Sequence, residues 1–525
     1  MGRLFLGFDV STQSLTALVI DYDSRRVVRA DTFGFDETLP AYGTRNGVLR
    51  HPDPKVVHSP PLMWAEALDL MFARLHEGGV DLGSVLAVSG SGQQHGSVYL
   101  NERAAGAFAG LDPARPLAEN LSGILSRRTS PIWMDSSTTA GCGEIMDRLG
   151  GPAATAEATG SAAFERFTGP QIRKFSKAEP KAYERTAHVA LVSSFMASIL
   201  AGRIAPIDHG DGAGMNLMDI RARDWHAGAL DATAPGLRRR LPDLVPSDTV
   251  IGPVSGYFVR RYGLNPDARA VVWSGDNPNS LIGVGLVRPG MAAISLGTSD
   301  TYFGFMEECR TDPHGEGHVF GAPTGDYMTL ICFKNGSLAR EKVRDAYGLD
   351  WEGFSEALRS TPPGNDGKLM LPYFEPEIVP KVLEPGVRRF GLDEGDAQAN
   401  CRAVVEAQML SMRIHSRWMN VTPRRIYATG GASRNRDILR VIADVHNCPV
   451  YRFEGSNSAA LGAALRAAHA WLAEQGQAPP WDEAVSGFAE PVPGSELVPD
   501  RAAVSVYDRL VEEYAECEGR VAGQG

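Results

Sequence analysis

The chain has 525 residues, a formal net charge of −11, and 43 % hydrophobic and 22 % charged residues. That length exceeds one ordinary core and predicts two globular domains. The acidic balance argues against a nucleic-acid binder, because the densest basic cluster, Arg238-Arg239-Arg240, sits between Leu237 and Leu241 and reads as a solvated helix end.

Six cysteines (142, 309, 332, 401, 448 and 517) form no Cys-x-x-Cys and none lies at zinc spacing from a histidine. Scattered thiols of this kind predict a reducing compartment. The opening MGRLFLGFDV has no long apolar leader, Leu6 breaks the myristoylation pattern, and the apolar stretch from His188 to Ala201 is too short to span a bilayer. The expected location is the cytoplasm.

In chain order, Leu4 to Phe8 predicts a strand, Asp9 to Ser14 a polar turn, and Leu15 to Ile20 a second strand. A loop over residues 41–61 leads to a helix in which Trp64, Leu68, Met71, Phe72 and Leu75 recur on one face. A strand over Val85 to Val88 runs into the turn SGSGQQHG. Residues 123–177 are mixed, His188 to Leu200 predicts a buried helix, and Ala205 to Met218 a Gly-rich bend. The domain boundary is expected near Arg269, giving domains 1–269 and 270–525. The second half restarts with a strand over Ala270 to Trp273 and the turn SGDNPNS. Two apolar pieces, Met291 to Ser295 and Thr301 to Phe305, then flank the polar turn LGTSD. This second hairpin resembles the first and predicts an internal repeat. Further on come a strand over Arg425 to Thr429, the turn Gly430-Gly431, and a helix from Arg434 to Val445 with Ile438, Leu439, Ile442 and Val445 inward. Val504 to Tyr514 predicts a last amphipathic helix. Alternating strands and helices predict an α/β fold with ligands at the sheet ends. The chain has neither a P-loop nor a Gly-x-Gly-x-x-Gly fingerprint, so a bound nucleotide would be held by another scheme.

Several clusters could carry chemistry. Asp9-Val10-Ser11-Thr12-Gln13-Ser14 places a carboxylate at a strand end before small hydroxyl residues, which suits phosphate oxygens and a Mg²⁺ ion, or equally a capped hairpin turn. Ser295 to Asp300 repeats that logic, with Gly297 allowing close backbone approach and Thr298 offering a hydroxyl. Asp276 and Asn277 follow an apolar strand directly. Asp276 could accept a proton from an attacking hydroxyl, or either residue could cap the next helix. Gln93, Gln94 and His95 combine donors and acceptors suited to a polyhydroxylated ligand. Arg166, in FERFTG, reads from sequence as a surface ion-pair member. Gly430, Gly431 and Asn435 form a strand–Gly-Gly–helix turn against which a flat base could lie, or a plain tight turn.

The ordered set DVSTQS, SGQQHGS, ERFTGPQI, DHGDGAGMNL, WSGDNPNSL, SLGTSDT, CFKNGSLAREK and ATGGASRN resembles the FGGY family of carbohydrate kinases, and within it an animal-type, ketose-phosphorylating branch, over nearly the whole chain. The resemblance implies two actin-like, ribonuclease-H-like domains with a catalytic cleft between them. It also implies ATP as co-substrate with Mg²⁺ and the reaction of ATP with D-xylulose to give ADP and D-xylulose 5-phosphate. Asp9 would hold the metal, and Thr12, Gln13, Gly297 and Thr298 would face the phosphates. Asp276 would be the general base. His95, Gln94, Arg166, Asp276 and Asn277 would contact the sugar, and Trp351, Gly430, Gly431 and Asn435 would line the adenosine pocket. Ser11 stands where many members have Gly, and Thr16 where many have a basic residue, a charge that Lys334 could replace. The implied partners are the sugar and ATP, with a homodimer as the candidate assembly and neither nucleic acid nor membrane. Three alternatives remain: a kinase of the same family for ribulose, another ketose or a sugar alcohol; an actin-like ATPase switch with no sugar substrate; and a sugar-binding regulator that has lost activity.

Overall fold

Residues 2–522 are described by a computed structural model. They divide into two units: residues 2–287 with 319–327 and 457–489, and the remaining described residues. The boundary expected near Arg269 falls inside a strand of the first unit, because that strand pairs within the unit's central sheet. The second unit is interrupted twice, where residues 319–327 and 457–489 return to the first.

The first unit is built on strands β1 (Leu4–Val10), β2 (Ser14–Asp21), β3 (Arg26–Gly34), β4 (Val85–Gly92), β5 (Val250–Pro253) and β6 (Arg269–Val271). Their order is β5-β6-β4-β1-β2-β3. The β1–β2 and β2–β3 pairs are antiparallel, whereas β1–β4 and β4–β6 are parallel. The Pro61–Glu77 helix packs Trp64, Leu68, Met71 and Phe72 into the core beside Phe8 and Val88. Proline at its first position suits a helix start, where no N–H partner is lost.

The helix expected from His188 begins only at Val192. His188–Leu191 is instead a strand paired antiparallel with Ser97–Leu100. The serines explain the switch: Ser194 Oγ accepts the N–H of Leu191 at 2.9 Å, which fixes the helix start.

The second unit's sheet uses β7 (Met291–Leu296), β8 (Asp300–Met306), β9 (Tyr327–Phe333), β10 (Arg425–Thr429) and β11 (Val450–Arg452), in the order β9-β8-β7-β10-β11. As in the first unit, an antiparallel hairpin (β7–β8) is followed by two parallel neighbours (β7–β10 and β10–β11). The repeated hairpin seen in the sequence is thus the seed of a repeated sheet.

Two long helices, Ala397–His415 and Ser458–Glu474, escape periodicity because they are buried nearly all round. The second lies directly on β1. A Cβ on Gly7 would overlap the backbone of Ala460 and Ala464, and a Cβ on Gly462 would overlap the carbonyl of Asn279. Glycine at both places is what lets backbone meet backbone. Arg466, buried in the middle of this helix, donates to Asn279 Oδ1 at 3.0 Å and to the carbonyls of Ser247 and Val272 at 2.6 and 3.0 Å. It therefore fixes the backbone just ahead of Ser274. Among the described residues, no helix is long and apolar enough to cross a membrane.

Candidate active site

In an open parallel sheet the carboxyl ends of the strands are where side chains and backbone ends converge. In the first unit, β1 ends at Asp9-Val10 and β4 runs into Gln93-Gln94-His95. The short strand Ser274–Gly275 pairs parallel with Ser91 and Gly92 of β4 and delivers Asp276 to the same edge. Three sequence motifs far apart in the chain thus meet because their strands are neighbours.

The carboxylates there are unusual. Asp9 Oδ1 is buried and makes no hydrogen bond. Burial first, and the nearby Asp276 charge second, push its pKa up to about 7, while the Ser91 hydroxyl works in the opposite direction. Burial likewise pushes Asp276 up to about 6, opposed by backbone N–H donors including those of Asn277 and Gln94. Asp276 is the first residue of the Asp276–Gly283 helix, not its cap. The cap position is Gly275, without a side-chain bond. Asp276 Oδ1 accepts from the Asn277 backbone at 2.9 Å and from Asn277 Nδ2 at 3.2 Å. Asn277 Nδ2 also donates to Gln94 Oε1 at 2.7 Å. The amide nitrogens of Gln93 and Gln94 are buried and make no hydrogen bond. Buried polar atoms left without partners cost stability, so a cluster of them at a sheet end marks groups kept for a ligand.

His95 sits in the left-handed region at φ +70°, packed on Phe167 with ring centroids 4.5 Å apart. Its Nδ1 lies 2.7 Å from the Gly214 carbonyl, and Thr168 Oγ1 donates to its own carbonyl at 3.0 Å. A non-glycine residue held at positive φ from both sides is a positioned one. Arg166 stacks its guanidinium over the Phe164 ring at 4.5 Å, and the next residue, Phe167, meets His95. Among the described residues Arg166 makes no ion pair of the kind its sequence context predicted.

At the hairpin turn, Thr12 Oγ1 receives the Trp133 indole N–H at 2.9 Å and lies 3.3 Å from Gln93 Oε1. Gln13 has an exposed side chain, and its carbonyl accepts the Phe35 N–H. Ser11 closes the turn onto the Ser14 carbonyl, as a capped hairpin would. Thr16 pairs across the hairpin with Asp9, is buried, and bonds its hydroxyl to Thr32 at 3.0 Å, so no cation stands at this position. Lys334 lies in the second unit, where its backbone N–H is taken by Glu377.

The second unit holds a separate cluster. A cavity of about 610 Å³ is walled by Trp351, Ser355, Gly431, Asn435, Glu341 and Arg359, among others. Trp351 is 41 % exposed and carries Arg344 over its ring at 4.4 Å. Asn435 caps the Arg436–His446 helix through Oδ1 and donates from Nδ2 to Ser355 Oγ at 2.7 Å. The two glycines divide the work. Gly430, at φ +82°, presses against the Leu296 backbone, so a side chain there would collide with the end of β7. A Cβ on Gly431 would meet only open space in the cavity. Gly297 and Thr298 form the turn between β7 and β8. The Gly297 carbonyl accepts the Ser337 N–H at 2.8 Å, and Thr298 is exposed.

Two residues of the first unit's cluster carry no reading in the sequence. Asp211, inside DHGDGAGMNL, is buried with Oδ1 unbonded, its other oxygen taken by Ser193, and its pKa raised chiefly by burial. A Cβ on Gly275 would sit 3.1 Å from that Oδ1 and 3.0 Å from Gln94 Cγ, which places Asp211 beside the Gln94–Asp276 edge. Trp133 reaches Thr12 as described. The motif around Asp211 was visible, but nothing in its spacing told the carboxylate from a turn residue.

A half-buried carboxylate pair thus stands at the ends of parallel strands, surrounded by amide and imidazole groups. Comparison with known proteins identifies the family. Residues 128–283 match the N-terminal domain, and residues 292–471 the C-terminal domain, of the FGGY family of carbohydrate kinases. The xylulose kinase of Rattus norvegicus is 43 % identical over 530 aligned residues, covering 99 % of this chain and 97 % of the relative. The chain belongs to the FGGY family and is a sugar kinase. Its fold is the two-domain α/β fold of the actin-like, ribonuclease-H-like kinases. The xylulose kinase of Rhodospirillum rubrum superimposes with a TM-score of 0.82 at 20 % identity, covering 99 % of both chains. The gluconate kinase of Lactobacillus acidophilus gives the same TM-score at 19 % identity, covering 99 % of this chain and 98 % of that one. The fold therefore does not distinguish one sugar from another.

Proposed function

We propose that the chain transfers the γ-phosphoryl group of ATP to D-xylulose, giving D-xylulose 5-phosphate, with Asp276 as general base. The observation that carries this reading is the Asp9–Asp276 pair: burial raises both carboxyls above the usual carboxylate range, and the Asp276 charge raises Asp9 further. The near full-length relatedness to a xylulose kinase selects the sugar.

A base is most useful when its pKa lies just below the working pH. At about 6, Asp276 is ionised at neutral pH yet takes up a proton more readily than an ordinary carboxylate. It would accept the proton of the attacking sugar hydroxyl as that oxygen bonds to the γ-phosphorus and the bridging bond to ADP breaks. Asn277 and Gln94, bonded to one another, would bind neighbouring hydroxyls, with His95 and Arg166 at the Phe167–Phe164 side. Phosphoryl transfer asks mainly for such positioning and charge neutralisation.

The residues present fit a Mg²⁺ ion. Among the described residues no group of three or more His, Cys, Asp and Glu is arranged to hold a metal by itself. Asp9 nevertheless offers a buried oxygen with no other partner. Mg²⁺ commonly takes one or two carboxylates and completes its shell with water and phosphate oxygens. Such an ion would offset the phosphate charge. Thr12, Gln13, Gly297 and Thr298 would meet the phosphates, and Trp351, Gly431 and Asn435 the adenosine, with Gly430 setting the turn.

The test is ADP release, coupled to a spectroscopic readout, with D-xylulose, D-ribulose, L-ribulose, xylitol and glycerol in parallel. Turnover selective for D-xylulose is expected. Selectivity for ribulose or a polyol would move the chain to another member of its family, and hydrolysis indifferent to every sugar would point to an ATPase switch.

A further inference from the structure

The first unit has a cavity lined by none of the residues assigned to the reaction. It measures about 490 Å³ and takes its charge from Arg127, Arg128, Lys174 and Arg185, with Glu179 the carboxylate in its wall. Four fixed cations against one carboxylate is an unusual local balance in a chain of net charge −11. The volume lies within the range of small-molecule sites.

The arrangement is built rather than incidental. The Arg127 side chain is only 10 % exposed. Its guanidinium lies over the Phe175 ring at 4.7 Å and the Tyr99 ring at 5.4 Å, which holds the planar fork in place. Glu179 reaches its Nε at 3.3 Å, while its Nη1 is buried without a hydrogen bond. A buried guanidinium nitrogen left unbonded costs stability unless something completes its shell. Hydroxyl and imidazole groups complete the wall. Thr129 Oγ1 lies 2.8 Å from His58 Nδ1, and Lys174 Nζ donates to Ser137 Oγ at 2.5 Å. The positive field is felt inside the wall: His58 is held down at about 4, first by burial and then by the Arg127 charge.

We infer that this cavity binds a phosphate monoester of small-molecule size, its phosphate on Arg127 and the flanking Arg128, Arg185 and Lys174. Arginine forks match phosphate oxygens in pairs, whereas a single carboxylate group would leave most of this donor set unused. The ligand would be a phosphorylated metabolite or, by the same chemistry, free phosphate. The bound anion would also bear on the sugar side of the unit. Lys174 holds Ser137, Ser137 bonds Asp135, and Asp135 Oδ1 accepts from Gln171 Nε2 at 2.8 Å. Gln171 in turn donates to the carbonyl of Glu165, next to Arg166, at 3.1 Å.

Isothermal titration of the full chain, with the nucleotide site saturated by ADP and the sugar site by a non-reacting polyol, would use ribose 5-phosphate and inorganic phosphate as separate probes. Saturable binding of ribose 5-phosphate is expected, weakened about tenfold or more in an Arg128→Gln/Arg185→Gln protein whose sugar KM and kcat without added phosphate match the unchanged chain. Equal affinity for both probes would assign the site to free phosphate, and preference for ribose 5-phosphate to a phosphorylated metabolite; either supports an anion site. Arg127→Lys, which keeps the charge but loses the fork, should lie between the two and guards against a variant that fails to fold. No binding of either probe, or binding unchanged in the double variant, would overturn the inference.

Discussion

Each unit carries a hairpin with an aspartate at its turn, and the two aspartates have opposite fates. Asp300, at the start of β8, is clasped by Arg340 through two bonds of 2.6 and 2.9 Å, and Arg340 is fixed further by Gln408 and Ser337. Both partners are almost fully buried. Asp9, at the end of β1, has no cation, an unbonded Oδ1, and a second carboxylate for company. Burial raises the pKa of both aspartates, but only Asp300 receives an arginine to oppose it. One hairpin spends its aspartate on architecture, holding the Gly297–Asp300 turn against the Ser337–Ala346 helix. The other leaves its aspartate uncompensated, which native folds do where chemistry needs the group.

The comparison can be broken from either side. The largest effect is expected from Asp276→Asn, which removes the proposed base and leaves its neighbours in place. Turnover should fall by roughly 10²–10⁴ in steady-state assays, with the sugar KM changed far less. An unaltered kcat would show that Asp276 does not accept the proton.

Arg340→Met should act on stability instead. Removing one partner of a buried pair strands the other, at a cost of about 3–5 kcal/mol. Denaturant unfolding should show the loss, and activity should fall in proportion to the folded fraction.

A smaller effect is expected from pH. Asp9 and Asp276 have folded-state pKa values, about 7 and about 6, above those of an unfolded aspartate. Their protonated forms therefore favour the folded chain. That contribution is complete below about pH 4, the ordinary aspartate range, and is lost as pH rises towards 6 and 7. Unfolding followed across this window without nucleotide or metal should show a downward slope for the unchanged chain and a flatter one for Asp9→Asn. In kcat/KM the sign reverses, since the base must be ionised, so activity should rise through about pH 6.

The smallest effect is expected from Trp351→Ala. The ring is partly exposed and already stacked by Arg344, so its loss should raise the ATP KM a few-fold and leave the sugar KM unchanged.

Much of this was legible in the sequence because the hairpins announce themselves. Apolar–polar–apolar runs around Asp9 and around Gly297 gave both sheets their first two strands, and a carboxylate directly after a short apolar strand drew attention to Asp276. What stayed hidden depends on long-range packing. Asp211 reads as one more residue in a Gly-rich bend until Gly275 and Gln94 are brought beside it. Trp133 lies in an irregular stretch with no periodicity to read. The Ser458–Glu474 helix leaves the second half of the chain and packs on β1 of the first unit, so a boundary drawn as a single cut could not describe it. Arg166 shows the reverse error: its charged, aromatic surroundings suggested an ion pair, but Phe164 provides a ring for it to stack on.

The most direct test of the contrast between the two aspartates is sugar-dependent ADP release by the Asp9→Asn protein, normalised to its folded fraction. If Asp9 is held uncompensated for chemistry, turnover with D-xylulose should fall by at least about a hundredfold in protein that is folded as well as the unchanged chain. Turnover close to that of the unchanged chain would mean that Asp9 is a hairpin residue like Asp300, and that the site works without its charge.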